Sequence, residues 1–157
     1  MKKKMKWKNQ RENAYPRIIL SDCFVDEIQI NNKELILKIL TCGFIIQENS
    51  RYYHTKSAQV IFEQCDIENI SIQVVYNKKG LFRNKRIIRD MDTGVFVESI
   101  VSGKWKYEIV EEYYSALGGL LVGQIRTAKA TVCCCFKMQF ENMRYLWDEV
   151  DHEAPVR

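Results

Sequence analysis

The chain has 157 residues, 46% of them hydrophobic and 28% charged, with only two prolines and seven glycines. One domain is expected at that length, and these proportions exclude a disordered chain, a collagen-like fibre and a coiled-coil rod. The net charge of +4 is unevenly placed: residues 1–16 hold Lys2, Lys3, Lys4, Lys6, Lys8 and Arg11 against Glu12, which leaves the rest of the chain at −1. A protein built on nucleic acid usually carries positive charge across its folded surface, so that expectation is met only in part.

The basic start resembles the first part of a signal peptide, but no apolar stretch follows it. No run approaches the ~18 apolar residues of a membrane span. Residues 1–16 are therefore expected to form a disordered basic tail, 17–150 a single antiparallel β domain and 151–157 a frayed C-terminus. Six cysteines, three of them consecutive and none behind an export signal, fit free thiols in a reducing cytoplasm better than a disulfide framework.

The dominant period is two. Leu35, Leu37 and Ile39 oppose Glu34 and Lys38; Ile70, Ile72, Val74 and Tyr76 oppose Asn69, Ser71 and Gln73. Trp105, Tyr107 and Ile109 oppose Lys104, Lys106 and Glu108; Val132, Cys134, Phe136, Met138 and Phe140 oppose Thr131, Cys133, Cys135, Lys137, Gln139 and Glu141. Side chains of a strand alternate between faces, so these runs predict half-buried antiparallel strands. Asn31-Asn32 predicts a tight hairpin, and residues 77–80, 92–94, Ser102-Gly103 and Gly118-Gly119 predict further turns. Residues 47–58 read as the longest loop. The best helical candidates, 113–117 and 142–150, are short. The fold class expected is mainly β, an antiparallel sandwich or partly open barrel with at most one or two short helices.

Residues 22–30 (DCFVDEIQI) lie over 64–72 (QCDIENISI) without a gap, with a shorter echo at 97–100 (VESI). A duplicated β-unit would give such a match. So would any alternating edge strand.

Chemistry-bearing residues are scattered. Cys133 and Cys135 share one face of a strand and Cys134 takes the other. Zinc usually needs four ligands from paired turns, and here only Cys23 or Cys65 could join them. No metal and no cofactor are assigned, and Cys133 and Cys135 are expected under a second layer or at an interface. A cysteine nucleophile needs a base within reach; His54 is the one histidine placed inside the domain, with no signature around it. Paired acids include Asp22 with Asp26 and Glu111 with Glu112. Asp22, Asp26 and His54 form the alternative polar site, that of a small-molecule binder or hydrolase, and no catalytic residue is named. Phosphate-cradling glycine motifs are absent. Residues 77–90 carry Lys78, Lys79, Arg83, Lys85, Arg86 and Arg89 around Phe82, an anion-binding candidate expected as a solvated hairpin tip. Tyr52-Tyr53 and Tyr113-Tyr114 place a ring on each face of a strand. With Trp147 they are the candidates for a partner surface, since rings left outside a core anchor interfaces.

Residues 20–30, 34–39, Gly43-Phe44, 108–114 and 136–148 together resemble a group of small β-rich proteins of low-GC Gram-positive bacteria. The resemblance implies no activity or site residues; some small proteins of this look act as immunity proteins that sequester a toxin. The expected function is a non-enzymatic, cytoplasmic protein-binding domain, immunity-like or self-associating. The alternatives are the small-molecule or hydrolytic β domain and a weak nucleic-acid binder through the 78–89 hairpin.

Overall fold

The computed structural model describes residues 17–156 and the backbone of Lys6–Asn9. The expected mainly-β, sandwich-like fold is present, with three antiparallel sheets, none closed into a barrel. In chain order the elements are β1 (Lys6–Asn9), β2 (Ile18–Ile19), β3 (Cys23–Val25), β4 (Glu27–Asn31), β5 (Glu34–Ile39), β6 (Ile45–Glu48), β7 (Arg51–Thr55), β8 (Ala58–Glu63), a 3-10 turn (Ile67–Asn69), β9 (Ser71–Lys78), β10 (Lys85–Met91), α1 (Thr93–Val101), β11 (Lys106–Ser115), β12 (Gly118–Arg126), β13 (Thr131–Gln139), β14 (Asn142–Trp147) and β15 (Val150–Val156). The five-stranded sheet has the order β1-β14-β8-β5-β4, the six-stranded sheet β10-β9-β13-β12-β11-β3, and the four-stranded sheet β15-β7-β6-β2.

The alternation read from the sequence is the alternation of burial. Leu35, Leu37 and Ile39 on β5, Ile72 and Val74 on β9, and Cys134, Phe136 and Met138 on β13 all enter one core shared by the three sheets. The chain changes sheet at Asp26, between β3 in the six-stranded sheet and β4 in the five-stranded one. There the Asp26 carboxylate accepts the Leu40 amide at 2.6 Å, the Thr41 amide at 3.0 Å and the Thr41 hydroxyl at 2.8 Å, which clamps the crossing to the end of β5.

Several local expectations are corrected. Residues 47–58 are not a loop: β6 and β7 form a hairpin closed by Asn49-Ser50, both at positive φ (48° and 66°), the geometry of a two-residue type I′ turn. The helix is Thr93–Val101, whereas 113–117 and 142–150 are mostly strand. Asp92 caps it by accepting the Val95 amide at 2.9 Å, and Phe96, Ser99 and Ile100 form its buried stripe at helical spacing. Residues 151–156, expected to fray, lie in β15, paired with β7. Within the stretch expected as a tail, Lys6–Asn9 form β1 on β14; the rest of 1–16 lies outside the described residues. The 22–30 and 64–72 segments share a residue at positive φ (Asp22 64°, Gln64 51°) followed by a buried cysteine, then diverge into strand and 3-10 turn. The 97–100 echo lies in α1, so no duplicated β-unit forms.

One irregularity governs the six-stranded sheet. Between β11 and β12 the pairing steps from Ile109↔Gly123 to Glu111↔Val122, leaving Val110 as an extra residue. Such a bulge shifts the alternation by one. Before it Tyr107 and Ile109 point inward; after it Glu112 and Tyr114 do, and Glu111 and Tyr113 turn to solvent.

Candidate interaction surface

β9 and β10 make a long hairpin at the edge of the six-stranded sheet, paired from Met91↔Ile72 to Lys85↔Lys78. Its tip is residues 79–84. The Gly80 amide donates to the Arg83 carbonyl at 3.1 Å, so the chain turns through Leu81 and Phe82. A Cβ on Gly80 would stand 2.5 Å from that carbonyl oxygen, which makes glycine the residue that permits the closure.

Leu81 and Phe82 are 93% and 96% exposed. Lys78, Lys79, Arg83, Lys85, Arg86 and Arg89 are on the same hairpin, and no acidic residue stands between Asn77 and Arg89. None of these six cations makes an ion pair with a described residue. Arg89 lies 6.0 Å over the Tyr76 ring. All six anion-binding candidates lie on this one hairpin, Lys85 and Arg89 on one face of β10 and Arg86 on the other. Leu81 was overlooked in the sequence; its signal is a pair of large apolar residues beside a glycine, between two sets of cations.

Below the tip, the outer face of the six-stranded sheet is open. Ile88 (59% exposed) on β10, Cys133 on β13, Val110 and Tyr113 (54% exposed) on β11 lie on it. Val75, Tyr76, Arg86, Cys133 and Cys135 line a groove of about 430 Å³ near the hairpin. Cys23, Cys65 and Cys134 are buried in the core, so the first two stand apart from Cys133 and Cys135. Among the described residues no three His, Cys, Asp or Glu side chains come together as a metal site. All six cysteines are free. Burial pushes the Cys134 thiol up to about 12 and also raises that of Cys135, with the neighbouring Cys133 adding to both.

The aromatic candidates separate. Trp147 is in the core at 6% exposure, its ring 5.9 Å from that of Phe44, because it shares a face of β14 with buried Met143 and Tyr145. Tyr114 is turned inward by the bulge. Tyr53 packs its ring 5.0 Å from His152, whose Nε2 lies 2.8 Å from Glu48 Oε2, and Tyr52 is half-buried on the same hairpin. Of the five, Tyr113 alone is openly exposed, its hydroxyl donating to Glu111 at 2.6 Å.

Asp22, Asp26 and His54 are not joined by any hydrogen bond or ion pair. Asp22 occupies a left-handed turn, Asp26 is used by Leu40 and Thr41, and His54 sits on β7 with a buried Nδ1 that has no hydrogen-bond partner among the described residues. The carboxyl with the most altered chemistry is Glu112. It accepts the Leu20 amide at 2.8 Å, and burial pushes its pKa up to about 7 against the lowering effect of that amide, Arg17 and the Tyr114 hydroxyl. It therefore ties the loop after β2 to the six-stranded sheet, facing the core rather than a cleft.

Among the described residues no helix is long and apolar enough to cross a membrane. Compared with protein-family models, curated proteins and solved structures, the chain matches none.

Proposed function

We propose that the protein is a non-enzymatic, cytoplasmic binding module whose working surface is the β9–β10 hairpin. The observation that carries this reading is the outward display of Leu81 and Phe82 on a tip flanked by cations that make no ion pair with a described residue. A folded chain gains by removing such side chains from water, and their complete exposure calls for a partner that covers them. Charge on β10 has a simpler use, since cations on an edge strand deter unwanted pairing. That accounts for Lys85, Arg86 and Arg89. It does not account for two large apolar residues at the apex. The six free cysteines support a reducing compartment.

A photoreactive phenylalanine analogue at position 82, expressed in cells, tests the reading. An adduct at 82, with none from the same analogue at exposed Lys33 on the β4–β5 turn, is the expected result; no adduct at 82 refutes it. A second reading, self-association through the outer sheet face, is favoured by the exposure of Ile88 and Tyr113. It predicts instead a dimer-sized adduct from position 113.

A further inference from the structure

Resting on the reading of the hairpin as the working surface, we infer that its partner is an anionic membrane surface, which the tip enters from the side without spanning. The chemistry is divided as such docking requires. Leu81 and Phe82 stand at the apex, where they reach the boundary between headgroups and acyl chains. Arg83 follows Phe82 directly and Lys79 precedes Leu81 across Gly80; Lys78 and Lys85 form the last strand pair, with Arg86 one pair further back. At about 3.4 Å per residue along a strand, Lys78 and Lys85 stand about 10 Å and Arg86 about 14 Å behind the apex, so with the apex inserted Lys79 and Arg83 reach the headgroup layer and the other three lie just above it, where the leaflet's negative potential still acts. Nothing acidic between Asn77 and Arg89 would repel phosphate or carboxylate groups of the lipid.

Leu81 decides between this surface and a nucleic acid. A phosphate backbone would use the cations, and a base could stack on Phe82, but an exposed isobutyl group offers a base no flat face. Lipid uses both side chains equally. The cytoplasmic leaflet is anionic and attracts clustered Lys and Arg within a Debye length.

The test is co-sedimentation of the full chain with phosphatidylcholine vesicles, with and without phosphatidylserine. The expected result is binding that requires phosphatidylserine and falls about fivefold for each cation removed, as in Lys79→Gln and Arg83→Gln. The double variant Leu81→Ser, Phe82→Ser should lose tenfold or more. Both residues are outside the core, and thermal unfolding checks that the variant stays folded. The chain with Phe82→Trp should show a blue-shifted emission on binding. Failure to sediment with phosphatidylserine vesicles, or sedimentation unchanged in the double serine variant, overturns the inference. If vesicles fail while the crosslinker at 82 still finds a protein or nucleic acid, the membrane inference falls and the binding-module reading stands. If the crosslinker finds nothing as well, both fall.

Discussion

A carboxyl whose folded pKa lies near 7 instead of 4.5 holds its proton more tightly in the folded chain than in the unfolded one. Folding is thus favoured while Glu112 is neutral in both states, below about 4.5. That advantage is lost as pH rises through the window to 7, and above 7 the buried charge costs about 3 kcal/mol at 1.36 kcal/mol per unit. Glu112→Gln keeps an oxygen for the Leu20 amide and removes the charge. In urea unfolding, the variant should gain on the wild type by about 3 kcal/mol between the acid and alkaline ends of that window; a constant difference across pH would refute the assignment. The sequence shows the Glu111-Glu112 pair but not which member is buried. A period of two carried past Ile109 predicts Glu111 and Tyr113 inside, and the extra residue Val110 reverses both. Valine is an ordinary strand residue, so nothing local marks the bulge. Trp147 was the opposite case: its alternation with Met143 and Tyr145 was present, and reading the segment as a short helix hid it.

Among the elements, the antiparallel strands were the most legible because their alternation is set by burial on one face. Polar and aromatic composition concealed the β6–β7 hairpin, although Asn49-Ser50 is a turn signal. Helix α1 was concealed by its Val and Ile residues, which have strand preference. What makes it a helix is the Asp92 cap and the stripe of Phe96, Ser99 and Ile100. Asp92→Ala should therefore cost about 1 kcal/mol in urea unfolding, and a change indistinguishable from zero would show that tertiary packing alone holds the helix. The β9–β10 hairpin was legible as a basic turn. Its apolar apex is a matter of exposure, and composition alone does not tell an exposed Leu-Phe pair from a buried one.

Across the whole molecule, mainly-β architecture followed from local patterns, but the division into three sheets did not. Neighbours such as β14 and β8 are far apart in sequence, and their register rests on long-range pairing. The core is common to all three sheets and takes in the base of the hairpin through Ile72, Val74 and Met91, while the tip projects beyond it. Binding through that tip should accordingly be separable from stability, as the double serine variant tests.

The three consecutive cysteines of β13 have a use that their burial alone does not suggest: they act as a ruler for the strand's own alignment. Cys133 and Cys135 face outward and Cys134 inward. Sliding β13 by one residue against β9 and β12 would exchange those positions. A thiol-reactive maleimide followed by peptide mapping should modify Cys133 first, Cys135 more slowly and Cys134 only on unfolding. The inverse pattern, one reactive thiol between two silent ones, would reveal a chain folded one notch out of line, a distinction that secondary-structure content cannot make.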